Sequence, residues 1–163
     1  MITITEEPYD APVVVVLVQA LNEEINERYA GDAYDEDEEA YQAEVTPSLV
    51  RSPHGTFLVA WLDGEPVGCG AIKPLDADPA VGEVKRMYTV TTVRRRGVSR
   101  TVLSRLEAVA VELGYARLQL ETGTAQPEAL ALYESAGWQR ITPYGRYKGS
   151  PESVCFAKEI RPA

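Results

Sequence analysis

The sequence of 163 residues, 45% hydrophobic and 25% charged with no internal repeat, is typical of one globular domain over residues 1–163 and excludes a disordered or solenoid protein. Its longest strongly apolar run, residues 13–18, is far shorter than the ~20 residues of a membrane span, and residues 1–7 lack the basic segment of a secretory signal. A net charge of −9 argues against a nucleic-acid partner. Without a predicted membrane span or secretory signal, the sequence predicts a cytoplasmic protein that does not target a membrane.

The first predicted elements are a strand, a helix and an acidic segment. Residues 2–5 alternate as a short strand, Asp10 has the position of a helix cap, and Pro12 suits the first turn of a helix that runs toward Tyr29. Residues 31–44 are strongly acidic and predict a second short helix or a mobile flap. This segment is either a solvated surface or a region that attracts a cationic substrate.

The middle of the chain reads as strands. Residues 56–62 alternate, Asp63 and Gly64 predict a hairpin turn, and residues 66–72 return as the partner strand. Residues 81–90 predict a third, longer strand.

Helices and strands alternate in the rest of the chain. The predicted elements are a loop over residues 91–96, a helix over 99–113 ended by Gly114, a strand over 117–122, a helix over 127–136 ended by Gly137, and closing strands over 138–141 and 153–160. Strands in a run followed by this alternation predict a mixed α/β sheet flanked by helices.

Few side chains suit covalent or metal chemistry. Cys69 and Cys155 lie far apart in apolar segments, and the single histidine, His54, is followed by a glycine. We therefore expect two buried free thiols, no metal site and no histidine-based catalytic dyad.

An arginine-rich junction is the most informative stretch. It comprises Arg94, Arg95, Arg96, Gly97, Val98, Ser99 and Arg100, between a predicted strand and the start of a long helix. A helix N-terminus offers unpaired N–H groups and the positive end of the helix dipole, where basic side chains are unfavourable unless an anion offsets them. The junction therefore predicts a phosphate-binding loop, with a solvated basic cap as the alternative. Residues 51–163 carry a net charge of +3 against −12 for residues 1–50, which fits a locally bound anion.

This junction resembles a signature of the GNAT superfamily of acyl-CoA N-acyltransferases. Arg94-x-x-Gly97-x-Ser99 is similar to Gln/Arg-x-x-Gly-x-Gly/Ala, and the Ser99 hydroxyl is expected to help cap the helix. Residues 83–89 stand where the family has the preceding strand. The segment Gln126-x-x-Ala129-x-x-Leu132-Tyr133-x-x-x-Gly137-Trp138 looks like the family's Asn-x-x-Ala-x-x-Leu-Tyr-x-x-x-Gly-Phe. The resemblance covers nearly the whole chain, although residues 1–55 match only in layout.

The resemblance implies a GNAT-like fold and acetyl-CoA as co-substrate, with no metal. In that fold a mostly antiparallel central sheet splays between its fourth and fifth strands, and the pantetheine arm enters the gap. The backbone of Met87, Tyr88 and Thr89 would pair with the arm, and an N–H near Met87 or Tyr88 would hold the oxyanion. Residues 94–100, Gln126 and Ala129 would bind the rest of the co-substrate.

Two catalytic side chains are implied as well. Glu83 corresponds to a glutamate that serves several family members as general base, directly or through water; an ion-paired strand end is the alternative. Tyr133 stands at the position of the family's general acid, which protonates the leaving sulfur, and an ordinary core tyrosine is the alternative. Neither cysteine has an activating base nearby in sequence, so direct attack of the amine is expected.

The acceptor site is expected at Tyr29, the acidic segment, Tyr144 and Tyr147. Aromatic walls with acidic charge suit a small cationic amine, whereas exposed loop tyrosines are equally ordinary. An amino acid, a polyamine, an aminoglycoside-like compound and a peptide N-terminus all remain open as acceptors. The predicted activity is acetyl transfer from acetyl-CoA to a primary amine of a small molecule or peptide; the alternative is a non-catalytic acetyl-CoA sensor. Edge strands make a homodimer a candidate assembly.

Overall fold

The structure, a computed structural model, describes residues 1–30 and 38–160. Its strands are β1 (Ile2–Glu6), β2 (Thr56–Leu62), β3 (Glu65–Leu75), β4 (Asp78–Thr89), β5 (Arg117–Gly123), β6 (Gln139–Ile141) and β7 (Ser153–Glu159). Its helices are α1 (Pro12–Arg28), α2 (Glu38–Ala43), α3 (Val98–Glu112) and α4 (Pro127–Ser135), with a 3₁₀ turn at Thr91–Val93. None of the described helices is both long and apolar enough to cross a membrane.

The described strands form one sheet in the order β1-β2-β3-β4-β5-β7-β6. Neighbouring strands run antiparallel except for β4 and β5, which are parallel and pair only at Gly82 with Leu118 and at Glu83 with Gln119. Beyond these two pairs the strands separate. The mixed, mostly antiparallel sheet splayed between its fourth and fifth strands is therefore confirmed.

A bulge in β4 lies beside the splay. Cys69 of β3 is in register with Tyr88 and Ala71 with Lys85, so a single β3 residue faces both Arg86 and Met87. Arg86 has a φ of +58°, a left-handed conformation that β-bulges accommodate. The extra residue bends β4 and increases its twist, which favours its departure from β5.

Helices cover both faces of the sheet. On one face α3 buries its apolar stripe mainly against β2, β3 and β4, and on the other α1 packs on β3 and β4. The first cluster includes Val102, Leu103, Leu106, Leu118 and Phe156, and the second includes Val14, Leu17, Phe57, Val59 and Ala71. This layering holds the splayed strands between α1 and α4, where the candidate site lies.

The local expectations are met at the hairpin turn and at α2, and the expected cap of α1 is wrong. Asp63 and Gly64 both have positive φ, as a two-residue type I′ hairpin requires. Asp10 was expected to cap α1, but the helix begins at Pro12, so Ala11 is the N-cap. Ala11 makes no side-chain cap hydrogen bond. Of the acidic segment, α2 supplies the predicted short helix, and residues 31–37 lie outside the described residues.

Candidate active site

Two neighbouring cavities open where β4 leaves β5. The larger, about 720 Å³, is bordered by the arginine-rich loop and is called the loop cavity. The smaller, about 170 Å³, is bordered by Tyr29, Tyr41 and Tyr147 and is called the tyrosine cavity. Both have Leu21, Met87, Gln126, Ala129 and Tyr133 in their walls. The two cavities therefore adjoin each other at the splay.

The loop cavity ends at the N-terminus of α3. Gly97 caps that helix with a φ of +83°, and Arg95 before it also has positive φ, so the chain turns sharply into the first helical turn. Tyr88, Thr89, Arg94, Arg95, Gly97, Val98, Ser99 and Arg100 all line the cavity. Arg96 is exposed and is not part of the cavity wall. The predicted loop residues, Arg96 apart, are therefore brought together.

Arg94 is engaged by the protein itself. Its Nε donates to the Thr89 carbonyl at 3.0 Å, and its Nη2 donates to Glu24 Oε1 of α1 at 2.5 Å. Ser99, expected to cap α3, is the second residue of the helix, and its hydroxyl lies 2.5 Å from Thr89 Oγ1 instead. Both side chains hold the loop against β4.

The other arginines of the loop make fewer contacts within the protein than Arg94 does, so they can bind an anion. Within residues 1–30 and 38–160, neither Arg95 nor Arg96 forms an ion pair, and both are exposed. Arg100 donates to Ser135 Oγ of α4 at 2.6 Å and lines the same cavity. The uncompensated charge of Arg95 and Arg100, beside the N–H groups that begin α3, suits the phosphates of a coenzyme A moiety.

A chain of ion pairs frames the loop cavity. Glu24, which accepts from Arg94, also lies 3.7 Å from Arg28 Nη2, and Arg28 pairs closely with Glu128 of α4. Arg28 Nη1 also donates to the Ala125 carbonyl at 3.0 Å. The hydrogen bond to Glu128 raises the pKa of Arg28 further above its ordinary value, so the cation persists. The arginine-rich loop, α1 and α4 are thereby tied together around the opening.

The predicted acceptor tyrosines separate into two groups. Tyr29 and Tyr147 line the tyrosine cavity, and the Tyr29 hydroxyl accepts a hydrogen bond of 3.2 Å from Gln126 Nε2. Tyr144 is not in that wall; its hydroxyl donates to Glu83 Oε2 at 2.8 Å. Burial, followed by the charge of Glu83, raises the pKa of Tyr144, so it remains a donor.

Glu83 lies at the point where β4 and β5 part. Its side chain is buried, with Lys73 Nζ at 3.5 Å and Lys85 Nζ at 3.9 Å from Oε1, and it is not part of the tyrosine cavity wall. The carboxylate is thus surrounded by two cations and one phenol. This is the ion-paired environment that the sequence offered as the alternative to catalysis.

Glu121 is a site residue that the sequence did not single out. It lies on β5 in the wall of the tyrosine cavity and accepts a hydrogen bond of 3.0 Å from Ser153. Burial raises its pKa to about 7, against the opposing effects of Ser153 and Lys85. Only a polar residue near the end of a strand hinted at this position, because its neighbours come from β4, β7 and the turn after α2.

Tyr133 lies in the walls of both cavities. The ring is 4% exposed, lines both spaces, and packs against Trp138 and Phe156 with centroid distances of 5.8 and 5.7 Å. Burial raises the pKa of its phenol well above the ordinary value. The Tyr133 hydroxyl is therefore a proton donor at the boundary between the two cavities.

The acidic, histidine and cysteine side chains of the described residues are dispersed, and the two thiols are buried. The described residues contain no group of three or more histidine, cysteine or acidic side chains arranged to hold a metal ion. Both cysteines are free and buried, as expected, and burial raises the pKa of Cys69 to about 12. A thiolate nucleophile is therefore disfavoured at Cys69.

The acyl-CoA N-acyltransferases have this architecture, in which a helix-flanked sheet splays beside a helix N-terminus that can bind an anion. Over residues 18–138 the chain matches the model of the acetyltransferase (GNAT) family, and it belongs to that family. It is 35% identical over 159 residues, 98% of each chain, to an IAA acetyltransferase from Azospirillum brasilense. It is 41% identical over 113 residues to YsnE, an uncharacterized N-acetyltransferase from Bacillus subtilis, covering 68% of this chain and 74% of that one.

The fold is also found in a crystal structure of similar size. A protein from Klebsiella pneumoniae, assigned as an acyl-CoA N-acyltransferase, superimposes with a TM-score of 0.77 and 29% identity over 99% of both chains. The resemblance inferred from the loop signature is thereby confirmed.

Proposed function

We propose that the protein transfers an acetyl group from acetyl-CoA to a primary amine of a small molecule or peptide. The observation that carries this proposal is that the loop cavity and the tyrosine cavity adjoin at the splay and share five wall residues, Tyr133 among them. A co-substrate lying in the loop cavity would present its reactive end at Tyr133, opposite an amine that enters from the tyrosine cavity.

Acetyl-CoA supplies an activated acetyl thioester. The N–H groups of Gly97, Val98 and Ser99, with Arg95 and Arg100, would hold its phosphates. Beyond Glu83 none of the described strands pairs with β4 on the β5 side, so the backbone of Met87 and Thr89 is available to an extended ligand. Gln126 and Ala129 would form the opposite wall.

Two carboxylates are candidates for removing the amine proton. Glu121 lies in the tyrosine cavity with a pKa of about 7, which suits a base that works near neutral pH. Glu83 remains the base implied by family resemblance and could act through a water. We favour Glu121, because Glu83 is enclosed by Lys73, Lys85 and Tyr144.

Tyr133 is proposed to donate the proton to the departing sulfur. Its raised pKa keeps the phenol protonated until a thiolate forms beside it. A cysteine nucleophile is not needed, so the amine attacks the acetyl group directly.

Calorimetry with acetyl-CoA tests the binding half of the proposal. Wild type should bind in the micromolar range, and Gly97→Glu should weaken binding at least tenfold, because it places a carboxylate against the phosphates. Gly64→Glu is the matched control, since Gly64 has the same φ of +83° and open space around its Cα but lies in the wall of neither cavity. Absence of binding to the wild type would refute the proposal.

Release of the CoA thiol over a panel of amines tests the catalytic half. Glu121→Gln should lower kcat/KM by roughly 10²-fold or more and abolish its rise through pH 7. Glu83→Gln should retain that rise if Glu121 is the base, and the opposite pattern would assign the role to Glu83. Binding without release on any amine would favour the non-catalytic sensor.

A further inference from the structure

Arg86 is a buried cation in the wall of the tyrosine cavity. It is 6% exposed and belongs to the β4 bulge, where its positive φ turns it out of the regular strand pattern. Its Nη2 donates to the Tyr41 carbonyl at 3.1 Å, and the guanidinium lies 4.2 Å from the centre of the Tyr41 ring. These contacts are to neutral groups.

No carboxylate neutralises Arg86 among residues 1–30 and 38–160, and its buried Nε has no hydrogen-bond partner there. The adjacent Lys85 differs, since its Nζ lies 2.9 Å from Glu44 Oε2. A buried charge without a counterion is costly, and an unmade hydrogen bond adds to that cost. The contact with the Tyr41 ring offsets only part of it.

We propose that the tyrosine cavity takes an acceptor that carries a carboxylate beside its amine, an α-amino acid or a compound of that chemistry, with the carboxylate paired to Arg86. The inference rests on the proposed function, because it identifies the acceptor class of the same site. Arginine suits this role, since its planar guanidinium matches the geometry of a carboxylate.

The other charged groups in the wall agree with a zwitterion. They are Glu44, Lys85, Glu121 and Glu152. Glu44 is shared between Lys85 and Arg146, at 2.9 and 3.6 Å, and Glu121, the proposed base, would receive the amine. Polyamines and aminoglycoside-like compounds would leave Arg86 without a counterion and would bring further positive charge into the same cavity. A cavity of about 170 Å³ is also small compared with sites for drug-sized ligands.

The test compares each acid with its own amide. Wild type saturated with CoA, which cannot transfer an acetyl group, is screened by thermal shift against the twenty L-amino acids. The strongest binders are then titrated by calorimetry beside the matching amino-acid amides and decarboxylated amines. At least one amino acid should bind, and it should bind tenfold or more tighter than its amide.

Two variants locate the preference. Arg86→Gln should bring the acid-to-amide ratio of dissociation constants close to one while leaving acetyl-CoA affinity unchanged, and Arg86→Lys should retain part of the preference. Arg105→Gln removes one positive charge from an exposed position on α3, and it should keep the wild-type ratio. If Arg86→Gln fails to fold, the ratio of the dissociation constants of acid and amide for wild type still tests whether the site prefers a carboxylate.

Failure of the inference is distinguishable from failure of the proposed function. If no amino acid binds, or amides bind as tightly as acids, while acetyl-CoA binds and an uncharged or cationic amine is acetylated, the acceptor assignment is overturned and the transferase stands. If acetyl-CoA itself does not bind, the proposed function fails first.

Discussion

The Arg94 guanidinium and the Glu24 carboxylate meet at 2.5 Å, although 70 positions separate them in the sequence. Arg94 occupies the first position of the loop signature, and its Nε is bound to the Thr89 carbonyl as well. The side chain therefore links α1, the end of β4 and the loop. In this arrangement Arg94 positions the loop, and we expect phosphate contacts to come from Arg95, Arg100 and the backbone.

Glu24→Gln should destabilise the protein by about 1–2 kcal/mol, because it removes a charge-assisted hydrogen bond from a partly buried pair. Acetyl-CoA affinity should also fall, since the loop loses its tie to α1. Urea unfolding and calorimetry would measure the two effects. Glu27→Gln on the exposed side of α1 is the control, and an equal effect of both variants would contradict the role of the pair.

Gly97→Ala isolates the cost of backbone conformation at the loop. A Cβ at Gly97 would meet no atom within 4 Å, so any loss comes from forcing alanine to a φ of +83°. We expect a loss of about 1 kcal/mol of unfolding free energy. Gly149→Ala has the same open space without positive φ and should change stability little. Equal unfolding midpoints for the two variants would refute the argument.

Short-range patterns gave reliable predictions of the fold. The hairpin at Asp63 and Gly64 follows from two residues that tolerate positive φ, and Pro12 marks the first turn of α1. By contrast, β4 begins at Asp78, three residues before the predicted start, because pairing of Asp78 with Leu75 of β3 outweighs the weak strand preference of Asp78 and Pro79. Strand ends set by a neighbouring strand are not visible in the local sequence.

The site was predictable where one segment builds it. The loop residues lie together because they are consecutive, and Tyr133 follows from a local motif. Glu121 could not be found in this way, since its environment is made by Ser153 of β7, Lys85 of β4 and Glu44 after α2, which are distant in sequence. The engagement of Tyr144 with Glu83, 61 positions away, was hidden for the same reason.

Glu121 should make stability depend on pH. Burial raises its pKa from 4.5 to about 7, so between these values the folded state binds more protons than the unfolded state. The stabilising contribution of the neutral carboxyl is complete below about pH 4.5 and is lost as the pH rises through 7. The stability of wild type relative to Glu121→Gln should therefore decrease across this window and then level off.

Urea unfolding of both proteins at pH 5, 6, 7 and 8 would measure this dependence. Glu112→Gln, at an exposed position of α3, serves as the control and should track wild type at every pH. A constant difference between wild type and Glu121→Gln would show that the carboxyl titrates normally.

Gly123→Ala should alter the wall of the tyrosine cavity, to which Gly123 belongs. A Cβ there would lie 1.9 Å from the Tyr29 hydroxyl oxygen, well inside contact distance, so the phenol must move. The hydrogen bond from Gln126 to Tyr29 would then break, and the wall shared by the two cavities would shift. Tyr29→Phe removes the same hydrogen bond without steric pressure, and it should cost about 1 kcal/mol.

The two variants together separate space from hydrogen bonding. Gly123→Ala should lose more stability than Tyr29→Phe and should raise KM for the acceptor, because the displaced ring intrudes on the cavity. The double variant Gly123→Ala with Tyr29→Phe should recover part of the loss, since removal of the hydroxyl relieves the clash, and a double-mutant cycle in urea would measure the coupling. Strict additivity of the two changes would mean that Gly123 and Tyr29 do not touch in solution.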